Sequence, residues 1–155
     1  MNGTTNESAP LIVCAVSGSD SSRYAQERAI ALAKERGGRV AFVNVLERRL
    51  IDRVDPRLAD TVRDELRHMR AALLNIAVER AAVQHVPAEM SVLDGDVDAG
   101  LERFVREHGA AARVIGAAGP ELDDSAFDAA SQERFARHLR QTAGVEVVIV
   151  GEPGR

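Results

Sequence analysis

Two turns in this sequence carry residues able to do chemistry. The first, "AVSGSDSS" (Ala15–Ser22), places hydroxyls at Ser17, Ser19, Ser21 and Ser22 around Gly18. Such hydroxyls can hydrogen-bond a phosphate or cap a helix, and capping is the commoner use. The second begins at Val114 with "VIGAAGPELDDS" and sets Gly116 and Gly119 after an apolar run. Glycines there let a backbone approach a ligand closely and aim its N–H groups at an anion. Acids follow where cations would help: Glu121, Asp123, Asp124 and Asp128 all precede Arg134, with no Lys or Arg between. The glycines point to a phosphate cradle, and the charges oppose it.

Other chemistries find little support. Cys14 is the sole cysteine, so no intramolecular disulfide or cysteine-based zinc site can form. It lies inside "LIVCAV", the place of a buried thiol rather than a reactive one. His68, His85, His108 and His138 are scattered without metal-ligand spacing. No Ser-His-Asp order, HExxH or CxxC occurs, and no paired acid and base stands out. The four serines of the first turn read as helix caps before nucleophiles.

Apolar runs and helical periods must position the two turns. "LIVCAV" (Leu11–Val16) is continuously apolar, as a strand covered on both faces should be. A helix follows to about Arg36, with Ala25, Ala29, Leu32 and Ala33 facing inward and Gly37-Gly38 ending it. "RVAFVNVLE" (Arg39–Glu47) is a second strand. Asp55-Pro56 offers an N-cap and a first-turn proline for a long helix. Its expected buried stripe is Leu58, Val62, Leu66, Met69, Leu73, Ile76 and Val83. "AEMSVLD" alternates as an edge strand does. Asp96 caps a helix with Val97, Leu101, Phe104 and Val105 inward, closed by Gly109. "ARVIGA" is a fourth strand; Phe127, Ser131, Phe135 and Leu139 mark a last helix; "VEVVIV" (Val145–Val150) is a fifth strand.

Strand and helix alternating in this way predict an α/β fold with a parallel sheet. Ligands of such sheets sit beyond the carboxyl ends of the strands, where strand order reverses. If the first and fourth strands are neighbours, both glycine- and serine-rich turns share one crevice. The 155 residues suit one domain, with 1–10 and 152–155 as tails around 11–151. A net charge of -4 and the lack of a basic block argue against nucleic acid or an anionic membrane as partner. "MNGTTNESAP" has neither the basic nor the apolar region of a signal peptide, and no run reaches membrane-spanning length. The expected location is the cytoplasm.

From Leu11 to Val150 the chain resembles the universal stress proteins. "LIVCAVSGSDSS" is similar to that family's first strand and turn, and "VAFVNVLE" to its second strand. "LDGDVDAGLERFVREHG" resembles the third strand, turn and helix, and "VIGAAG" with "SQERFARHL" the fourth strand and final helix. The resemblance implies a three-layer α/β sandwich of the adenine nucleotide alpha-hydrolase type, with a five-stranded parallel sheet in the order 3-2-1-4-5. It also implies a homodimer paired through the last strand, Val145 to Val150. Protein partners are not named by it.

Members that bind ATP carry G-x2-G-x9-G followed by Ser or Thr. Here Gly116 and Gly119 match, and the nine residues Pro120 to Asp128 lead to Ala129 and Ala130. The spacing is kept, and two of the four positions differ. Ser17 stands where the family's first turn usually has Asp to hold ribose. With Ala15 and Val16 it forms the strand end, and Ala15 and Val45 match the positions that flank adenine. Both are equally suited to plain core packing. Pro120 removes an N–H donor, Ala129 adds a Cβ, and Ala130 lacks a hydroxyl. A carboxylate about 6 Å from a phosphate repels it by roughly 1–3 kcal/mol. Asp123, Asp124 and Asp128 can also cap the final helix themselves.

The expectation is therefore a regulatory or protective dimer, without catalysis or cofactor, in which the nucleotide site is degenerate. The alternative is ATP or AMP binding with Mg²⁺ and slow hydrolysis at most, since Mg²⁺ could bridge carboxylates and phosphates. A rival resemblance, of "AVSGSDSS" to the SGGxDS loop of adenylating PP-loop enzymes, is one residue short and lacks the second glycine.

Overall fold

The computed structural model describes residues 9–17, 20–116, 137 and 145–151, with backbone alone at 20 and 21. The expected last helix, with Phe127, Ser131, Phe135 and Leu139, lies outside the described residues, as do both tails short of residue 9 and beyond 151. Five segments form one parallel sheet: β1 (Leu11–Ala15), β2 (Arg39–Glu47), β3 (Ala88–Gly95), β4 (Ala112–Gly116) and β5 (Glu146–Val150). Their order is β3-β2-β1-β4-β5, as the resemblance implied. Every neighbouring pair is parallel.

Helices cover both faces. α1 (Asp20–Arg36) and α3 (Ala59–Val83) pack on one, where Ile12, Cys14, Val40, Phe42 and Val114 meet Ala25, Ala29, Leu74 and Ala77. α4 (Val97–Glu107) packs on the other, where Leu11, Val13, Ala41 and Val43 meet Leu101, Phe104 and Val105. Central strands are apolar on both sides because both sides are dry. β3 is an edge, and its residues are only half-buried or exposed, without a strict alternation.

Three helices hand the chain to the next strand by one device. After α1, Gly38 N–H donates to the Ala33 carbonyl (2.8 Å) and Gly37 sits at φ +65°. After α4, Ala110 N–H donates to Val105 (3.0 Å), with Gly109 at φ +60°. After α3, Val86 N–H donates to Ala81 (2.9 Å), and here His85 takes the left-handed position at φ 61°. These are paired C-terminal caps that satisfy helix-end carbonyls. Gly38 has a second reason to be glycine: a Cβ there would stand 2.3 Å from the Pro10 carbonyl oxygen. At the other end of α4, Asp96 caps as expected, accepting from Ala99 N–H at 3.2 Å.

Two expectations fail around the long helix. Asp55 does not cap it: its carboxylate accepts from the Arg57 N–H (2.9 Å), and its carbonyl from Leu58 N–H (2.8 Å). Asp55-Pro56 thus builds a turn, and the helix begins at Ala59. A short helix, α2 (Arg48–Asp52), precedes that turn and anchors Ile51 in the interior. The buried stripe is also different. Leu74, Ala77 and Ala81 face the sheet, whereas Leu58, Met69, Ile76 and Val83 are 55%, 64%, 47% and 75% exposed. α3 carries two apolar stripes, and the one with small residues lets it lie close on the strands. Leu74→Ala should cost about 2–5 kcal/mol in urea unfolding of dilute protein. Met69→Ala should change it by no more than roughly 0.5 kcal/mol. Equal losses would restore the expected stripe.

Candidate functional site

Strand order reverses between β1 and β4, so the crevice lies beyond their carboxyl ends. There the structure brings together Ala15, Val16, Ser17, Val45 and Gly116. The backbone of Val16 continues the sheet, donating to the Val43 carbonyl at 2.8 Å. Gly116 is half-buried and lies opposite Val150 of β5. Gly119, Ala129 and Ala130, with the acids of the second turn, lie outside the described residues.

The lip of the first turn already has partners. Ser17 is exposed, and its N–H donates to Ser22 Oγ at 2.8 Å. Ser22 is buried in the first turn of α1, so its hydroxyl ties the lip back to that helix rather than capping it. Gln26 Nε2 approaches the same oxygen at 3.5 Å, and Arg80 of α3 donates to Gln26 Oε1 at 2.7 Å. On the neighbouring strand Asn44 Nδ2 donates to the Val16 carbonyl at 2.7 Å. Asn44 is buried, and its Oδ1 has no hydrogen-bond partner among the described residues. The candidate base contacts belong to the core. Val45 is buried in the cluster that includes Leu101 and Phe104, and Gly100 of α4 lies against it. Ala15 is half-buried between two apolar clusters.

Charge buried between β4 and α4 is mixed. Arg113 is 2% exposed inside β4. Burial pulls its pKa down to about 10, against upward pulls from Asp98 and Cys14. Asp98, in the first turn of α4, is raised first by burial and next by Asp96, with Arg113 pulling back. Its Oδ1 is buried without a hydrogen-bond partner among the described residues. Asn44 and Arg113 were not singled out from the sequence. The signal was there, a lone polar residue inside "VAFVNVLE" and another inside "ARVIGA".

The described histidines have structural places. His68 Nδ1 meets the Asp64 carbonyl at 3.2 Å, and His108 Nδ1 that of Phe104 at 2.9 Å, with the two rings stacked 3.9 Å apart. Among the described residues no group of three or more His, Cys, Asp or Glu could hold a metal. No described helix is long and apolar enough to cross a membrane.

The sequence model of the universal stress protein family matches residues 11–151. No curated protein sequence matches the chain. Solved structures of similar fold include a universal stress protein family member from Burkholderia pseudomallei, 24% identical, with a TM-score of 0.67. That match covers 90% of this chain and 94% of that one. A universal stress protein in complex with cAMP is 22% identical over 91% and 96% of the two chains, at a TM-score of 0.64. One from Archaeoglobus fulgidus in complex with dAMP is 20% identical over 92% and 97%, at 0.59.

Cys14 yields a direct check on this geometry. Burial pushes its thiol up to about 12, against a smaller downward pull from Arg113. At pH 8 only about one thiol in ten thousand is ionised at that value. Native protein should leave a thiol reagent unconsumed, and unfolded protein should react at one site. Rapid reaction of the folded chain would place Cys14 at an accessible surface.

Proposed function

The chain belongs to the universal stress protein family, and we propose that within it this protein is a non-catalytic regulatory or protective member. It acts in the cytoplasm by contact with other proteins and needs no cofactor. Its crevice holds triphosphate weakly. The observation that carries this reading is the Ser17 N–H, already donated to Ser22 Oγ. A phosphate at this lip would compete with an internal partner instead of filling an empty place. Val45, held under α4, supports the same view, because a base would have to displace core packing. Ala129, Ala130 and the acids from Glu121 to Asp128 add to it from the sequence.

The second reading is binding of a mononucleotide such as AMP. The relatives solved with cAMP and dAMP favour it, as does the uncommitted Asn44 Oδ1 next to the crevice. A ligand with one phosphate meets less repulsion from the acids than one with three. Thermal shift separates the two readings by linkage. ATP with Mg²⁺ should move the midpoint little. A rise of several degrees that Gly119→Trp abolishes would overturn the weak-site reading, and a rise with AMP alone would establish the second.

The same proposal has two copies pairing through β5. Among the described residues β5 pairs with β4 alone, leaving its other edge open. That edge carries apolar Val148, Ile149 and Val150 without a proline or lysine to block addition of another strand. Ile149 is exposed, so a charge there leaves the core intact. Ile149→Glu should shift sedimentation from dimer toward monomer. A dimer that survives it unchanged must use another surface.

A further inference from the structure

α3 has an outer apolar line that nothing among the described residues covers. Leu58, Met69, Ile76 and Val83 follow one another in steps of eleven, seven and seven residues. At about 100° per residue each step falls within roughly 20° of whole turns, so the four side chains project along one line. Val62, Leu66 and Leu73, all half-buried, complete a three-and-four spacing from Val62 to Val83. Arg80 is its single charged member. A seven-residue repeat of this kind is the pattern by which one helix seats on another.

We propose that this line pairs with the same line of a second copy of the chain, the two α3 helices lying side by side and parallel. Charges select the partner and the direction. Asp60 pairs with Arg63, Arg67 with Asp94, and Arg80 with Gln26. Glu65 and Arg70 make no ion pair among the described residues, and they flank the line on opposite sides. Parallel pairing brings Glu65 toward the partner's Arg70 twice, once on each side of the twofold axis. Antiparallel pairing about the middle of the helix would instead set Glu65 beside the partner's Glu79, and Arg70 beside the partner's Arg70. Those like charges, at three places, oppose that arrangement more than the parallel one, in which Arg80 alone meets its own counterpart and is drawn aside by Gln26 Oε1 at 2.7 Å. A helix pair of this length buries on the order of 1,000 Å², the low end for a specific interface, so the contact is concentration-dependent. α3 rests on β2 and β3, at the opposite side of the sheet from β5, so a pair through β5 leaves it open.

Cross-linking of the full-length chain tests this, because buried Cys14 adds no background. Ile76→Cys should form a covalent dimer under mild oxidation. Ala82→Cys, exposed on α3 but turned away from the line, should not. Glu65→Arg should lower the Ile76→Cys yield several-fold, and adding Arg70→Glu should restore it. The cross-link should persist when Ile149→Glu blocks the β5 edge, which separates this contact from the dimer proposed above. Equal yields at 76 and 82, indifference to the charge reversal, or loss of the cross-link with Ile149→Glu would each overturn self-pairing. So would a stripe that binds a different protein while the pure chain gives no cross-link.

Discussion

The exclusion of water from both faces of β1 is the constraint on which the rest depends. From Leu11 to Cys14 each side chain is buried, alternately under α1 and under α4. Both edges of the strand are taken, by β2 and by β4. Only its carboxyl end is left, and there backbone groups must find partners outside the ladder. Val16 and Ser17 show how: a buried asparagine takes the carbonyl and a buried serine takes the N–H. The place where a ligand could bind is thus the place where the sheet runs out of its own hydrogen bonds.

That constraint explains why the fold was legible in the sequence. A strand dry on both faces reads as an unbroken apolar run, and "LIVCAV" is one. Gly37-Gly38 and Gly109 stop helices where the backbone turns left-handed, so their meaning is local. α3 was less legible for a physical reason. Two apolar stripes on one helix have the same period, and nothing local says which faces the sheet. Size misled: Met69 and Ile76 outweigh Ala77 and Ala81, but small residues are what permit close approach to strands. Asp55 failed similarly, since an acid before proline serves a turn or a cap equally well and only the later chain path decides.

The site was legible in position and less so in chemistry. Gly116 and the first turn do lie at the reversal of strand order. Sequence spacing could not show that Ser22, rather than a ligand, would occupy the Ser17 N–H. Nor could it show that Val45 would be pinned by Gly100 and the α4 cluster. Asn44 and Arg113 each sit in a strand that otherwise reads as core. Polar groups of that kind are held only where a partner or a field repays their burial. Arg113, drawn down to about 10, shows how far burial weighs on it.

Internal hydrogen bonds and outer surfaces lead to one view of how such a protein acts. Arg80 joins α3 to Gln26 of α1, and Gln26 touches the serine that caps the crevice lip. The same Arg80 is the single charged member of the outer line of α3. A contact made on that line therefore bears on a residue three hydrogen bonds from the Ser17 N–H. Reciprocity of binding free energies requires that a ligand favouring one state of the lip would shift the outer contact by the same factor. The crevice lip and the outer line of α3 are thus two ends of one polar chain.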